Sequence, residues 1–220
     1  MDATMAPNPE YTSSIGARSL DLLPLKTFPA RPTTPKLFTG KPALFLDRDG
    51  VVVWNVTRSD GTVGSARSRD EVELLRTFPI FARAVHKAGY MLVIVTNQPD
   101  IARGDLDPYT FATMNEYLLS QVPEVDAIYT CPHDAAHNCS CRKPRPGLIR
   151  SAISDLNLRV SDSWMIGDRS SDIEAGAAIP LRSICLPSQT RGQLARRECK
   201  ATVPHIQADD LGEVLKILTC

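Results

Sequence analysis

The sequence predicts an α/β fold in which a parallel sheet is covered by helices on both faces. Short apolar runs alternate with helical patterns of about ten residues, as expected for repeated β-α-β units. The apolar runs lack polar alternation, which is typical of strands buried on both sides. The predicted strands lie at residues 43–46, 91–95, 125–129, 164–166 and 182–186, and the predicted helices at residues 78–88, 109–121, 147–156, 171–178 and 211–218.

The chain divides into an N-terminal arm, residues 1–41, and one domain, residues 42–220. The 220 residues correspond to about one and a half domains at roughly 150 residues each. The arm has no sustained strand or helix period, and its prolines remove backbone donors: Pro7, Pro9, Pro24, Pro29, Pro32 and Pro35. We expect an extended or partly disordered segment, in which Leu20, Leu22 and Leu23 could pack elsewhere.

Composition argues against several classes of protein. The 25 basic residues balance the 25 acidic ones, whereas a protein that tracks nucleic-acid phosphates needs clustered positive charge. A hydrophobic fraction of 43% is enough for a sizeable core. No apolar run approaches the roughly 20 residues that span a bilayer, and the N-terminus lacks the basic start and apolar stretch of a secretory signal. We expect a cytoplasmic monomer with no membrane or nucleic-acid partner.

Two carboxylates follow the first predicted strand. Asp47 and Asp49 leave the strand end on the same side, because residues i and i+2 of an extended segment share a face, and Gly50 permits a sharp exit. Mg²⁺ would relieve the repulsion between them. A carboxylate held beside a cation can attack phosphorus, and its neighbour can serve as acid and base. An isolated Asp-x-Asp could equally belong to an ordinary turn.

Polar and cationic residues follow the later elements. Thr96, Asn97 and Gln98 end the second predicted strand and could donate to a phosphoryl oxygen, although Thr and Asn also start turns. Arg142 and Lys143 precede a predicted helix. Lys143 could neutralise a nucleophile and a phosphate, and Arg142 could grip a second anionic group.

A further acid completes the set. Asp168 ends the strand predicted at residues 164–166 and is placed to join Asp47 and the Asp49 backbone in a cation site. Asp172, four residues later, is expected to cap the next helix or to support the loop. All these groups follow predicted strands of one sheet, so we expect them to converge at one edge.

Together these motifs resemble the four-motif signature of the haloacid dehalogenase superfamily of phosphotransferases over about residues 42–188. The resemblance implies a Rossmann-like three-layer fold. It also implies that Asp47 is the nucleophile and Asp49 the general acid/base. Thr96 and Lys143 would bind the phosphoryl group, and Asp47, Asp49 and Asp168 would hold Mg²⁺. Asn97, Gln98, Arg103 and Arg142 are candidate substrate-binding residues.

A cysteine cluster predicts a structural zinc site. Cys131, His133, Cys139 and Cys141 supply four ligands within eleven residues, and a closed set of this kind suits tetrahedral Zn²⁺. His137 competes with His133 for the fourth position, and the Cys-x-His spacing favours His133. We expect the metal to stiffen the loop that leads into Arg142 and Lys143. Cys185, Cys199 and Cys220 receive no role.

A zinc loop directly before Arg-Lys-Pro resembles the branch that contains the heptose 1,7-bisphosphate phosphatases and the histidinol-phosphate phosphatases. The segments 101–104 and 145–147 are more similar to the heptose enzymes. The chain departs from them at Pro99-Asp100, at Pro79-Ile80 and at Arg169. The zinc loop itself does not distinguish the two activities.

The motif spacing leaves no room for a separate cap domain, so we expect an open site lined by loops. Six arginines lie in or beside these loops and could hold the distal phosphate of a small sugar bisphosphate: Arg58, Arg67, Arg69, Arg103, Arg142 and Arg145. Histidinol phosphate is the alternative substrate, although its amine would favour acidic neighbours. Less favoured are a DNA 3′-end phosphatase, which needs a basic channel, and a non-enzymatic zinc module that binds nucleic acid.

Overall fold

A seven-stranded sheet forms the centre of the computed structural model, which describes residues 24–29, 40–203 and 205–219. In these residues the strands are β1 Leu25–Thr27, β2 Pro42–Leu46, β3 Val56–Thr57, β4 Val63–Gly64, β5 Met91–Asn97, β6 Val125–Cys131, β7 Arg159–Gly167, β8 Arg182–Cys185 and β9 Ile206–Gln207. The sheet order is β1-β6-β5-β2-β7-β8-β9. Only the β1–β6 pair among these is antiparallel. The predicted parallel sheet is thus confirmed.

Helices cover both faces of the sheet, as predicted. They are α1 Phe78–Lys87, α2 Pro99–Arg103, α3 Pro108–Gln121, α4 Gly147–Leu156, α5 Ser170–Ala177 and α6 Leu211–Thr219. Leu44 and Leu46 of β2 pack with α1, α3 and α6 on one face. Ala43 and Phe45 point to the other face and pack with α4 and α5. This alternation places β2 at the centre of a three-layer domain.

Several elements differ from the predicted boundaries. β7 begins at Arg159, five residues before the predicted strand. The apolar run did not reveal this first part of the strand, because its residues are largely exposed and polar. The short elements α2 and β9 follow no apolar period long enough to predict them. β1 lies within the segment assigned to the arm, and it pairs with β6 through Leu25 and Thr130. Leu20, Leu22 and Leu23 lie outside the described residues.

No separate cap domain interrupts residues 47–143, which the structure describes throughout. A small hairpin of β3 and β4, a 3-10 turn at Arg69–Glu71 and α1 occupy the first interval, between β2 and β5. The second interval contains α2, α3, β6 and a 3-10 turn at Ala135–His137. Within the described residues, none of the helices has the length and apolar character that a bilayer crossing requires.

Candidate active site

The central position of β2 brings the predicted acids together at one edge of the sheet. β2 lies between β5 and β7, with Leu46 opposite Ile94 and Ile166. Asp47 follows β2, Thr96 lies near the end of β5, and Asp168 follows β7. All three residues are buried. The carboxyl ends of parallel strands therefore form the site, as expected for an open α/β sheet.

Gly50 makes room for Asp168. Its φ of +85° lies in the left-handed region, and a Cβ added there would come within 2.5 Å of Asp168 Oδ2 and 2.7 Å of Asn55 Nδ2. A larger residue would therefore suffer both backbone strain and a clash. The turn after Asp49 consequently needs glycine at this position.

Lys143 joins two carboxylates in the buried floor of the site. Its Nζ lies 2.7 Å from Asp47 Oδ1 and 2.6 Å from Asp172 Oδ1, and it also donates to the carbonyl of Val95 at 2.7 Å. Burial alone would lower the pKa of Lys143, but the two carboxylates outweigh burial, and the pKa is raised. The lysine therefore stays charged. Its amine can neutralise a carboxylate and an incoming phosphoryl group at the same time.

Asp168 is buried without a well-formed hydrogen bond. Neither of its carboxylate oxygens has a partner of good geometry among the described residues, although the hydroxyl of Ser188 lies close enough to favour the charged form slightly. Burial, followed by the charges of Asp47 and Asp172, raises the pKa of Asp168 to about 8. Burial likewise raises the pKa of Asp47 to about 6, although Lys143 opposes this shift. Three crowded acids of this kind create a site that favours a cation.

The oxygen atoms of this group fit a hard divalent ion. One carboxylate oxygen each from Asp47, Asp168 and Asp172 lies within 4.8 Å of the others, and oxygen ligands are those that Mg²⁺ prefers. We call Asp47, Lys143, Asp168 and Asp172 the acid–lysine cluster. Asp172 also accepts a hydrogen bond from the Arg169 backbone at 3.1 Å, so it caps α5 as predicted. Its contact with Lys143 was not predicted, since an acid in the first turn of a helix signals only a cap.

The side chain of Asp49 has different partners. Arg48 donates to both of its oxygens, at 3.0 and 3.1 Å, and Gln98 Nε2 donates to Oδ2 at 2.7 Å. Asp49 lines the same cavity as Asp47 and Thr96. Its carboxylate is not part of the three-acid group, so a contact of Asp49 with a cation would come from its backbone carbonyl, as the sequence suggested.

The polar residues at the end of β5 and directly after it hold the site together. Gln98 is fully buried and also donates to Thr96 Oγ1 at 2.9 Å. The side chain of Asn97 brackets Lys143: Nδ2 donates to the Lys143 carbonyl at 3.1 Å, and Oδ1 accepts from the Lys143 backbone at 3.0 Å. Thr96 and Asn97 line the cavity above Asp47. The structure thus gives Asn97 and Gln98 positioning contacts in addition to any contact with substrate.

The four predicted zinc ligands converge next to this floor. Cys131, His133, Cys139 and Cys141 place one ligand atom each within 4.8 Å of one another. Sulfur–sulfur distances run from 3.3 to 3.6 Å, slightly below the roughly 3.8 Å edge of a tetrahedron with Zn–S bonds of about 2.3 Å. Side-chain contacts with Cys131 and Cys139 outweigh burial and lower the pKa of Cys141 to about 5. The donor set therefore suits a closed zinc site.

His137 does not join this group. Its Nδ1 pairs with Asp134 at 2.8 Å and its ring is exposed, with its centroid 5.5 Å from that of His133. His133 Nδ1 instead lies 3.3 Å from Cys141 Sγ. Arg142, at the end of this loop, donates to the carbonyl of His133 at 2.9 Å. The cysteine loop therefore fixes the position of Arg142.

A cationic cavity of about 410 Å³ opens beside the acid–lysine cluster. Its basic lining, which we call the arginine rim, consists of Arg58, Arg67, Arg103, Arg142 and Arg169. Ser65, Asn97, Lys143, Arg169 and Ser171 line both this cavity and the one above Asp47. The two cavities therefore adjoin, and a ligand bound at Asp47 would extend toward the arginines.

Two of the six predicted arginines lie elsewhere. Arg69 packs over the ring of Tyr117, with Cζ 3.3 Å from the ring centroid. Arg145 donates to Asn138 and to the carbonyl of Cys139. Arg169 lines the cavity although the sequence marked it only as a departure from a related pattern. Ser65 is also a lining residue, and the polar hairpin that carries it gave no signal in the sequence.

Known proteins show the same architecture. Residues 140–214 match a family model described as HAD-hydrolase-like. The chain is 34% identical to the D-glycero-β-D-manno-heptose-1,7-bisphosphate 7-phosphatase of Vibrio cholerae over 174 residues, which cover 74% of this chain and 90% of that protein. Identity to the protein of the same name from Helicobacter pylori is 31% over 186 residues, or 81% of this chain and 98% of that one.

A solved structure extends this similarity to three dimensions. The D,D-heptose 1,7-bisphosphate phosphatase from B. bronchiseptica, complexed with magnesium and phosphate, aligns with a TM-score of 0.66 at 26% identity. The alignment covers 81% of this chain and 98% of that protein. The similarity therefore spans nearly the whole of these relatives.

Proposed function

Because the chain belongs to the HAD-like phosphatase family that contains the heptose 1,7-bisphosphate phosphatases, we propose that it removes the 7-phosphate of D-glycero-D-manno-heptose 1,7-bisphosphate. The observation that carries this proposal is the buried Lys143, which pairs with Asp47 at 2.7 Å beside the acid Asp168. The charged amine of Lys143 beside Asp47 suits the binding of a phosphoryl group. The adjoining arginine rim accepts a second anionic group.

Asp47 is the proposed nucleophile. Its Oδ1 is held by Lys143, which orients the carboxylate toward the cavity that it lines with Thr96. Attack on phosphorus forms a bond from Asp47 to phosphorus and breaks the bond to the sugar oxygen, giving an aspartyl-phosphate. Water then attacks phosphorus and releases inorganic phosphate and the free Asp47 carboxylate. Lys143 and Thr96 offset the charge of the phosphoryl oxygens in both steps.

Asp49 is the proposed proton carrier. In the first step its carboxyl gives a proton to the departing sugar oxygen, and in the second its carboxylate takes one from water. Arg48 and Gln98 hold that carboxylate at the cavity.

Magnesium is the proposed catalytic cofactor, and its ligands would be the Asp47 and Asp168 carboxylates with the Asp49 backbone carbonyl. The buried, poorly partnered oxygens of Asp168 and the crowded acids around them fit such a cation. When bound, Mg²⁺ withdraws charge from the phosphoryl oxygens. Zinc is the proposed structural metal, held by Cys131, His133, Cys139 and Cys141, and it stiffens the loop that positions Arg142.

The substrate is proposed to be a free small molecule. Among the described residues that line the larger cavity, the one acid is Asp100, which already pairs with Arg67 at 2.7 Å and faces Arg103 at 3.6 Å. It is therefore poorly available to an amine, which disfavours histidinol phosphate. We further propose that the enzyme works as a cytoplasmic monomer without nucleic-acid or membrane partners.

A phosphate-release screen tests the proposal. The metal-loaded protein is given heptose 1,7-bisphosphate, the corresponding 7-phosphate, histidinol phosphate and a DNA 3′-phosphate, each with Mg²⁺. We expect the highest kcat/KM for the bisphosphate, because only that substrate engages both cavities. A preference for histidinol phosphate or for the DNA end would overturn the assignment of substrate.

Metal analysis tests the structural zinc. The protein dialysed against chelator-free buffer should retain zinc. Cys139→Ser should lose the ion from this loop. It should also raise KM, because Arg142 would be held less firmly. A fully active preparation without zinc would refute the proposed zinc loop.

A further inference from the structure

A second group of sulfur and nitrogen ligands lies at the carboxyl end of β8. Cys185, Cys199 and His205 each place one ligand atom within 4.8 Å of the others. Cys185 is the last residue of β8, while the other two lie in the long segment between β8 and β9. We propose that these three residues form a second metal site for one Zn²⁺ or a similarly thiophilic divalent cation, with a fourth position open to water or an external thiol.

The orientation of His205 supports this site. Its Nδ1 lies 3.0 Å from the backbone carbonyl of Val203, so Nδ1 carries the proton and donates it to that oxygen. The lone pair of Nε2 then points toward Cys199 Sγ, at 4.0 Å. Histidines that bind metals usually donate their other ring N–H to a carbonyl in this way, because it fixes both tautomer and ring orientation.

The separation of Cys199 Sγ and His205 Nε2 is close to that of two ligands on a bound ion. A tetrahedral Zn²⁺ with bonds of about 2.3 Å to sulfur and about 2.0 Å to nitrogen separates the two ligands by roughly 3.6 Å. The Cys199–His205 separation of 4.0 Å exceeds this by a few tenths of an ångström. Both side chains are only partly buried, so a small rotation would close the gap.

Such an ion would tie a long loop to the sheet next to the active site. Cys185 lies opposite Gly167, the residue before Asp168. Residues between the ligands contact the same region: the Lys200 backbone donates to Ser170 Oγ at 2.7 Å, and Glu198 faces Arg169 of the arginine rim at 4.0 Å. Anchoring the chain that carries Glu198 and Lys200 would therefore steady Arg169, which lines the cationic cavity.

Zinc stoichiometry tests the proposal independently of any phosphatase activity. The full chain is loaded with Zn²⁺, dialysed against metal-free buffer and analysed by mass spectrometry for metal per chain. We expect about two zinc ions in the wild type and about one in Cys199→Ser and in His205→Asn. Asparagine keeps a donor for the Val203 carbonyl and removes Nε2, so the fold is preserved. His86→Asn, on an exposed helix face, is the matched control and should keep both ions.

A second readout locates the ion. Bound zinc should slow alkylation of Cys199 and tryptic cleavage after Arg196 and Arg197, and His205→Asn should abolish both effects of zinc. Cys139→Ser should lose only the ion of the other loop and retain this protection. The proposal is overturned if the loaded wild type holds a single zinc ion, if both site variants still hold two, or if a Cys185–Cys199 disulfide is found instead.

Discussion

The acid–lysine cluster and the arginine rim adjoin each other, yet they are built in opposite ways. The cluster is buried, with every member below 10% exposure. Asp47 and Asp168 follow strand ends, Asp172 lies in the first turn of α5, and Lys143 lies in the loop before α4. The rim stands on loops and short elements, and its arginines are partly or largely exposed, with the side chain of Arg103 at 51%. The sheet fixes the first region, whereas side-chain pairing fixes the second.

This difference suggests that the buried cluster carries out the chemical step and that the exposed rim recognises the substrate. Water cannot reach a buried ion pair to replace a missing partner, so removing one partner leaves an uncompensated charge at the reacting centre. Removing an exposed arginine of the rim should cost less binding free energy, because solvent screens its charge and the neighbouring arginines remain. Changes in the cluster should therefore lower kcat, and changes in the rim should raise KM for a substrate with two phosphates.

The largest effect is expected from Asp47→Asn. The amide cannot act as the nucleophile, so turnover should fall on the order of 10⁴-fold or more. Steady-state phosphate release with saturating Mg²⁺ measures the loss, and circular dichroism verifies the fold. Glu116→Gln, on an exposed position of α3, serves as the control. Residual activity close to that of the wild type would refute the role of Asp47.

The next largest effect is expected from Lys143→Met. This change keeps much of the side-chain volume but leaves the charges of Asp47 and Asp172 unopposed, so kcat should fall about 10² to 10³-fold. The pKa of Asp47 should rise further, because in the wild type the charge of Lys143 lowers it. A pH–rate profile should therefore show the remaining activity shifted to higher pH; an unshifted profile would contradict this electrostatic role.

A moderate effect is expected from Arg103→Ala. Loss of one charged contact should raise KM for the bisphosphate about tenfold and leave kcat nearly unchanged. KM for the 7-phosphate alone should change little. Arg69→Ala is the matched control, since Arg69 packs on Tyr117 outside the cavity. Equal losses for Arg103→Ala and Arg69→Ala would show that the rim does not recognise substrate.

The smallest effect is expected in stability. Burial raises the pKa values of Asp168 to about 8 and of Asp47 to about 6, from 3.8. The metal-free folded chain thus keeps protons that the unfolded chain has lost, so its stability falls as the pH rises from about 4 to about 8. Mg²⁺ binds the ionised acids, so adding Mg²⁺ should raise the Tm of the protein more at about pH 8 than at about pH 5.5. An equal increase at both would contradict this coupling.

The same division explains how much the sequence could predict. Apolar runs predicted the five central strands, and the acids after them were predicted to converge at one edge, which they do because strand order brings strand ends together. The resemblance to the haloacid dehalogenase family is confirmed by the relatives at 31–37% identity. The close spacing of Cys131, His133, Cys139 and Cys141 predicted their convergence, since short-range ligands need little tertiary information.

The contacts that were missed depend on tertiary structure. Asp172 meets Lys143 only because α5 begins directly beside the floor, and no sequence period encodes that distance. Arg169 and Ser65 reach the cavity from a turn and from a hairpin of two-residue strands. Cys185, Cys199 and His205 are spaced fourteen and six residues apart in the sequence, so their spacing gave no ligand pattern.

The central claim is that Asp47 carries the phosphoryl group during turnover. Rapid acid quenching of the enzyme with Mg²⁺ and heptose 1,7-bisphosphate, followed by peptide mass spectrometry, tests it directly. We expect the peptide containing Asp47 to gain the mass of one phosphoryl group, and the Asp47→Asn protein to show no such gain. A phosphoryl group on another residue, or turnover with no labelled peptide under conditions that trap aspartyl-phosphates, would contradict the account.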